Sequence, residues 1–209
     1  PVFICKPAVG SVSDLDALIA MQKRTGSLVM AGSGWRWAKS TQDAAAKIDI
    51  SQVSHFAVHS PNPRFYYGIH AWEFLAGLLG PGIQWIETVE TSEKYTHYHC
   101  AHQSGVEGDV YIGGDRVRVI QWTDQKGEHE IELPIPEIHD GFCKTFVQMI
   151  RTGRMPADIT SQLDPIVSAL LGEQASEVGV RQPIEMLESN RYVASEDFMS
   201  TYTPRPLLP

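Results

Sequence analysis

The chain has 209 residues, 43% of them hydrophobic and 20% charged, which excludes disorder as its main state and fits one folded domain or one domain plus part of another. A formal charge of −8 at pH 7 disfavours nucleic acid as a principal partner, because phosphate recognition draws on a basic face. No apolar run approaches the roughly 20 residues that span a bilayer, the first ten residues lack the order of a signal peptide, and Cys5, Cys100 and Cys143 have no CxxC spacing; a reducing, cytoplasmic setting without membrane is expected.

Residues 2–5 (VFIC) are a continuous apolar, β-rich run, the pattern of a strand covered on both faces. Ser11 or Ser13 offers an N-cap to a helix with Asp14 and Asp16 in its first turn and Leu15, Leu18 and Ile19 at helical spacing, closed by Gly26. Residues 27–31 (SLVMA) are a second apolar run, so residues 2–31 predict one strand–helix–strand unit. Two strands alone make no stable sheet, and no further such repeats follow. Residues 51–60 alternate, with Phe56 and Val58 on one face and Val53, His55, Ala57 and His59 on the other, the pattern of a half-buried strand. After Pro61 and Pro63, residues 68–79 predict an apolar helix stopped by Gly80-Pro81-Gly82.

Residues 83–133 predict a mostly antiparallel meander with turns at Ser104-Gly105, Gly113-Gly114-Asp115 and Gln125-Lys126-Gly127. Helices return over 141–152, capped by Asp140, and over 161–178, and the proline-rich end after Tyr202 is expected to be extended or loose. Strands followed by segregated helices argue for an α+β fold, a mostly antiparallel open sheet with helices on one face, behind a βαβ unit. The uncovered sheet face then falls to solvent, a pocket or a subunit interface.

The succession VFICKP, an amphipathic helix, a strand ending in GWRW, YGIHAWEFLAGLLG, and a helix with IRTGRMP before a long closing helix resembles the glucose-fructose oxidoreductase / inositol dehydrogenase (Gfo/Idh/MocA) family over nearly the whole chain. The family's Glu-Lys-Pro motif matches Cys5-Lys6-Pro7, and its Asp-x-Gly-x-His motif matches Tyr66-Tyr67-Gly68-Ile69-His70. The resemblance implies residues 1–37 as a βαβ remnant of a Rossmann-like domain and residues 38–209 as the α+β substrate and oligomerisation domain. It further implies NAD or NADP as cofactor and a sugar- or polyol-like alcohol as ligand. Lys6 would sit beside nicotinamide and substrate hydroxyl, with Pro7 next to it, and His70 would be the acid/base, its family Asp replaced by Tyr66.

Chemically, a histidine suits proton exchange near neutral pH, and a lysine ammonium stabilises a developing alkoxide. Trp35 and Arg36 are candidates to lean over a nicotinamide or bind a substrate anion, although an aromatic-Arg-aromatic stretch also serves as packing at a domain junction. No GxGxxG stands in these 209 residues, so the cofactor site is expected to be incomplete and the isolated chain inactive. In residues 97–102 (HYHCAH), His97 and His99 face one way on a strand and Cys100 and His102 the other. His55 and His59 would join His97 and His99 only if their strands share a face, and that face is expected to form a pocket or interface and to hold no metal. Gly113-Gly114-Asp115 reads as a hairpin turn. The expected function is the substrate-binding and oligomerisation portion of an NAD(P)-dependent oxidoreductase, a homo-oligomer through its open sheet face. The alternative is a non-catalytic binding or assembly module derived from that family.

Overall fold

The computed structural model describes residues 1–194; the proline-rich end discussed above lies outside the described residues. The predicted βαβ unit is present. Strands β1 (Val2–Cys5) and β2 (Val29–Gly32) pair in parallel, joined by helix α1 (Val12–Thr25). Ser11 caps α1 by accepting from the Asp14 N–H, and Gly26 closes it in the left-handed conformation at φ 63°.

The expectation that β1 is covered on both faces does not hold. Val2 is 48% exposed and Cys5 is exposed too, whereas all four residues of β2 are buried. The free edge of β2 is closed by a side chain: Gln162 Oε1 accepts from the Ala31 N–H at 2.8 Å and its Nε2 donates to the Val29 carbonyl at 3.1 Å. An amide thus takes the hydrogen-bonding place of a third strand.

After β2 come α2 (Gly34–Trp37) and α3 (Lys39–Ala45), then β3 (His55–Ser60), α4 (Ile69–Leu79), β4 (Ile83–Thr91), β5 (Tyr95–His102), β6 (Glu107–Gly113), β7 (Val119–Asp124), β8 (Gly127–Glu132), α5 (Ile135–Thr152), α6 (Ile159–Val178) and the short β9 (Gln182–Pro183). The second sheet has the order β8-β7-β3-β6-β5-β4-β9, with only β3 and β6 parallel. It is the expected α+β sheet, but β6 and β7 do not form the expected hairpin. Strand β3 inserts between them, and Gly113 and Gly114, at φ 92° and 80°, carry the chain past its end. Helix α5 begins at Ile135, with Pro134 and not Asp140 at its N-cap; Asp140 instead pairs with Lys144 one turn on. Helices α2 and α3 were not predicted: α2 is four residues long, and α3 is polar with only Thr41 buried, so no apolar period marks it.

One sheet face packs Phe56, Val58, Tyr98, Val110 and Ile112 against α4 and α6. Helix α4 is apolar apart from His70 and Glu73 and is buried from Ala71 to Leu79, as a helix wedged between a sheet and other helices must be. The opposite face carries His55, His59, His97, His99, Asp109 and Tyr111. Among the described residues no helix is long and apolar enough to cross a membrane.

Candidate active site

The parallel strands β1 and β2 end side by side, Cys5 opposite Gly32, so the next residue of each, Lys6 and Ser33, emerges at the same edge. The carboxyl ends of parallel strands are where open α/β sheets take their ligands. The first turn of α4 brings His70 to this edge, and Tyr67 just before it.

Lys6 donates from Nζ to the Tyr66 carbonyl at 2.5 Å and lies 4.0 Å from the centre of the Tyr67 ring. Burial pushes its pKa down to about 8, against a smaller upward pull from Cys5. The His70 ring stacks on Trp35 with centroids 4.6 Å apart and planes within 15°, and its Nδ1 is 2.6 Å from Ser33 Oγ. Burial, and then the Lys6 charge, push His70 down to about 3. At neutral pH His70 is therefore an uncharged imidazole, and Lys6 is an ammonium whose proton is easily lost.

Lys6 and His70, both expected from the sequence motifs, come together around Tyr67. Three other residues named from the sequence make contacts of a different kind. The Tyr66 hydroxyl donates to the Ala194 carbonyl at 2.9 Å, and its carbonyl accepts from Lys6. Trp35 is 5% exposed and spends its face on His70, with Phe74 at its edge. Arg36 points inward: Nη1 donates to the Ser161 carbonyl at 2.9 Å and Nη2 to Ser161 Oγ at 3.2 Å. That carbonyl is free because Pro165, four residues on in α6, has no N–H to offer it. Neither Trp35 nor Arg36 is thus placed to hold a cofactor. Pro7, joined to Lys6 by a cis bond, lines a cleft of about 730 Å³ with Ser11, Tyr66 and Tyr192.

Ser33, Tyr67 and Glu73 were missed. Glu73 lies one turn beyond His70 and is fully buried; its pKa is raised to about 8, burial outweighing the opposing pull of Arg36 and of the Ser33 N–H. Its contact with Arg36 is long, at 3.9 Å, and Oε2 has no hydrogen-bond partner among the described residues. Space for it exists because residue 32 is glycine: a Cβ there would sit 2.1 Å from Glu73 Oε1. A lone carboxylate in an otherwise apolar helix, three residues after a histidine, was the available signal.

On the open sheet face the four histidines do share one side. Asp109 is met by His97 Nε2 at 2.8 Å, His99 Nδ1 at 3.1 Å and His55 Nε2 at 3.3 Å, while His59 and His97 stack on the two faces of Tyr111. Among the described residues no group of three His, Cys, Asp or Glu could hold a metal ion.

No protein-family model and no curated protein matches this sequence. Solved structures do. Scyllo-inositol dehydrogenase from Lactobacillus casei, with bound cofactor NAD(H) and scyllo-inositol, superposes with a TM-score of 0.75 over 88% of this chain and 73% of its own, at 13% identity. Myo-inositol 2-dehydrogenase from Lactobacillus plantarum gives 0.74 over 87% and 73%, at 12% identity. An oxidoreductase from Agrobacterium radiobacter in complex with NAD+, L-tartaric acid and magnesium gives 0.70 over 90% and 74%, at 14% identity. The chain therefore has the fold of these dehydrogenases, as expected from the resemblance noted in its sequence.

Proposed function

We propose that this chain carries the substrate side of an NAD(P)-dependent oxidoreductase acting on a sugar- or polyol-like alcohol. The observation that carries the reading is a lysine with its pKa near 8, set beside a neutral histidine at the carboxyl ends of two parallel strands. Oxidising an alcohol takes a proton from the hydroxyl and a hydride from the carbon; a nicotinamide supplies the hydride acceptor when bound. The described residues fit the reacting end of such a cofactor and not its pyrophosphate. They include no GxGxxG turn, and Trp35 and Arg36 are committed to the interior. The phosphate-binding part would come from outside these 209 residues.

What these residues do concerns the hydroxyl. Lys6 as a neutral amine accepts its proton, and as an ammonium returns it in the reverse direction. Tyr67 shields the amine from water on one side, and the Tyr66 carbonyl fixes its direction. Among the described residues His70 meets Ser33 and no carboxylate, which favours as second reading a binding or assembly module without catalysis. Assaying the intact gene product for nicotinamide reduction with NAD+ or NADP+ across a panel of inositols, sugars and linear polyols separates the two. The first reading expects reduction with at least one alcohol and none after Lys6→Met; no reduction with any of them supports the module.

A further inference from the structure

We propose that Ser33 holds His70 in the tautomer with its proton on Nε2, so that His70 meets an oxygen of the ligand as a hydrogen-bond donor and proton exchange is left to Lys6. In naming the ligand this rests on the function proposed above; the tautomer does not. A carboxylate beside Nδ1 can only accept, so it keeps a proton on Nδ1 and leaves the Nε2 lone pair free to act as a base. A serine hydroxyl can accept or donate, and its other contacts decide which.

Ser33 Oγ already accepts the Trp35 N–H at 3.2 Å. The residue is 1% exposed, so its hydroxyl proton must find an acceptor inside the protein. Among the described residues that acceptor is His70 Nδ1, at 2.6 Å. With Nδ1 accepting, the ring's own proton sits on Nε2, which has no hydrogen-bond partner among the described residues. The opposite tautomer would leave the Ser33 proton buried and unbonded. The stack on Trp35 fixes the ring plane, so the two contacts together aim the Nε2–H.

The chemistry follows from the proton count. An imidazole that gives a hydrogen bond from Nε2 supports negative charge on an alkoxide oxygen without changing its own protonation. Protonating it further would require the Nδ1 lone pair that Ser33 occupies, in agreement with its neutral state. Ser33 is a positioning residue here, acting only through His70.

The test is a long-range proton–nitrogen correlation spectrum of protein labelled with 15N at histidine, His70 being identified by the signal lost in His70→Gln. Expected from about pH 6 to about pH 8 is a pattern with unprotonated Nδ1 and protonated Nε2. Ser33→Ala should shift the tautomer ratio by about tenfold towards protonated Nδ1, and Ser33→Thr, which keeps the hydroxyl, should restore the original pattern. A protonated Nδ1 in the unmodified protein would overturn the proposal even if Ser33→Ala does not fold, as would an unchanged ratio in that variant. These spectra need no cofactor or substrate, so failure of the oxidoreductase reading leaves them untouched.

Discussion

Glu73 shows what the interior beside the site does to a charge. Its pKa rises from 4.5 to about 8, so above pH 4.5 the unfolded chain has released a proton that the folded chain keeps. Stability is therefore lost progressively as pH rises from 4.5 to about 8, and the loss is constant beyond. Glu73→Gln, neutral at every pH and nearly the same shape, should remove that slope. At pH 7 it should be more stable than the unmodified chain by up to the order of 3 kcal/mol. Urea denaturation at about pH 5 and about pH 7 checks this; equal pH dependence in the two proteins would show that Glu73 is ionised in the fold. At this scale the sequence was only partly legible. Lys6 and His70 stand in motifs and could be named, but a motif does not show that the Tyr66 hydroxyl would turn to Ala194, or that the hydroxyl of Ser33, on a different element, would meet the imidazole.

The elements hold the site by close backbone approaches. Gly141 in α5 lies against the end of α2, where a Cβ would stand 2.2 Å from the Trp37 carbonyl oxygen and 3.0 Å from the Ala38 Cα. Both are backbone atoms and cannot swing aside, so Gly141→Ala should cost about 1–3 kcal/mol by forcing α5 away from the Trp35–Trp37 turn. Gly26→Ala, with nothing within 4 Å but a left-handed φ of 63°, should cost about 1 kcal/mol from backbone strain alone. Denaturation midpoints for the two variants give the order; a smaller loss for Gly141→Ala would mean that α5 is loosely packed. Helices with caps or a mostly apolar surface, α1 and α4, were legible because their signals are local. The parallel pairing of β3 with β6 was not, since it joins residues about 50 positions apart and leaves no trace in either strand's own pattern. For the same reason Pro165 within α6 makes sense only once Arg36 is seen filling the place of its missing N–H.

Across the whole molecule α6 is the common support. It packs on β2 through Gln162 and on β4 of the larger sheet, and so fixes the Lys6 edge relative to that sheet. Among the described residues nothing covers one face of the large sheet, where His59, Tyr111 and His97 form a continuous stack beside Asp109. We propose that a second copy of the chain covers this face. Light scattering should then give a mass above that of one chain, and Tyr111→Asp, which sets a charge in the middle of the stack, should return it to a monomer. A monomer at high concentration without the substitution would remove this surface as an assembly site.

The pH dependence of alcohol oxidation by the intact gene product bears most directly on the assignment of proton exchange to Lys6. With NAD+ or NADP+ and a polyol that is turned over, kcat/KM should rise as Lys6 loses its proton, through a midpoint near pH 8, and activity should vanish in Lys6→Met. A profile flat through that range, or oxidation that survives Lys6→Met, would contradict it.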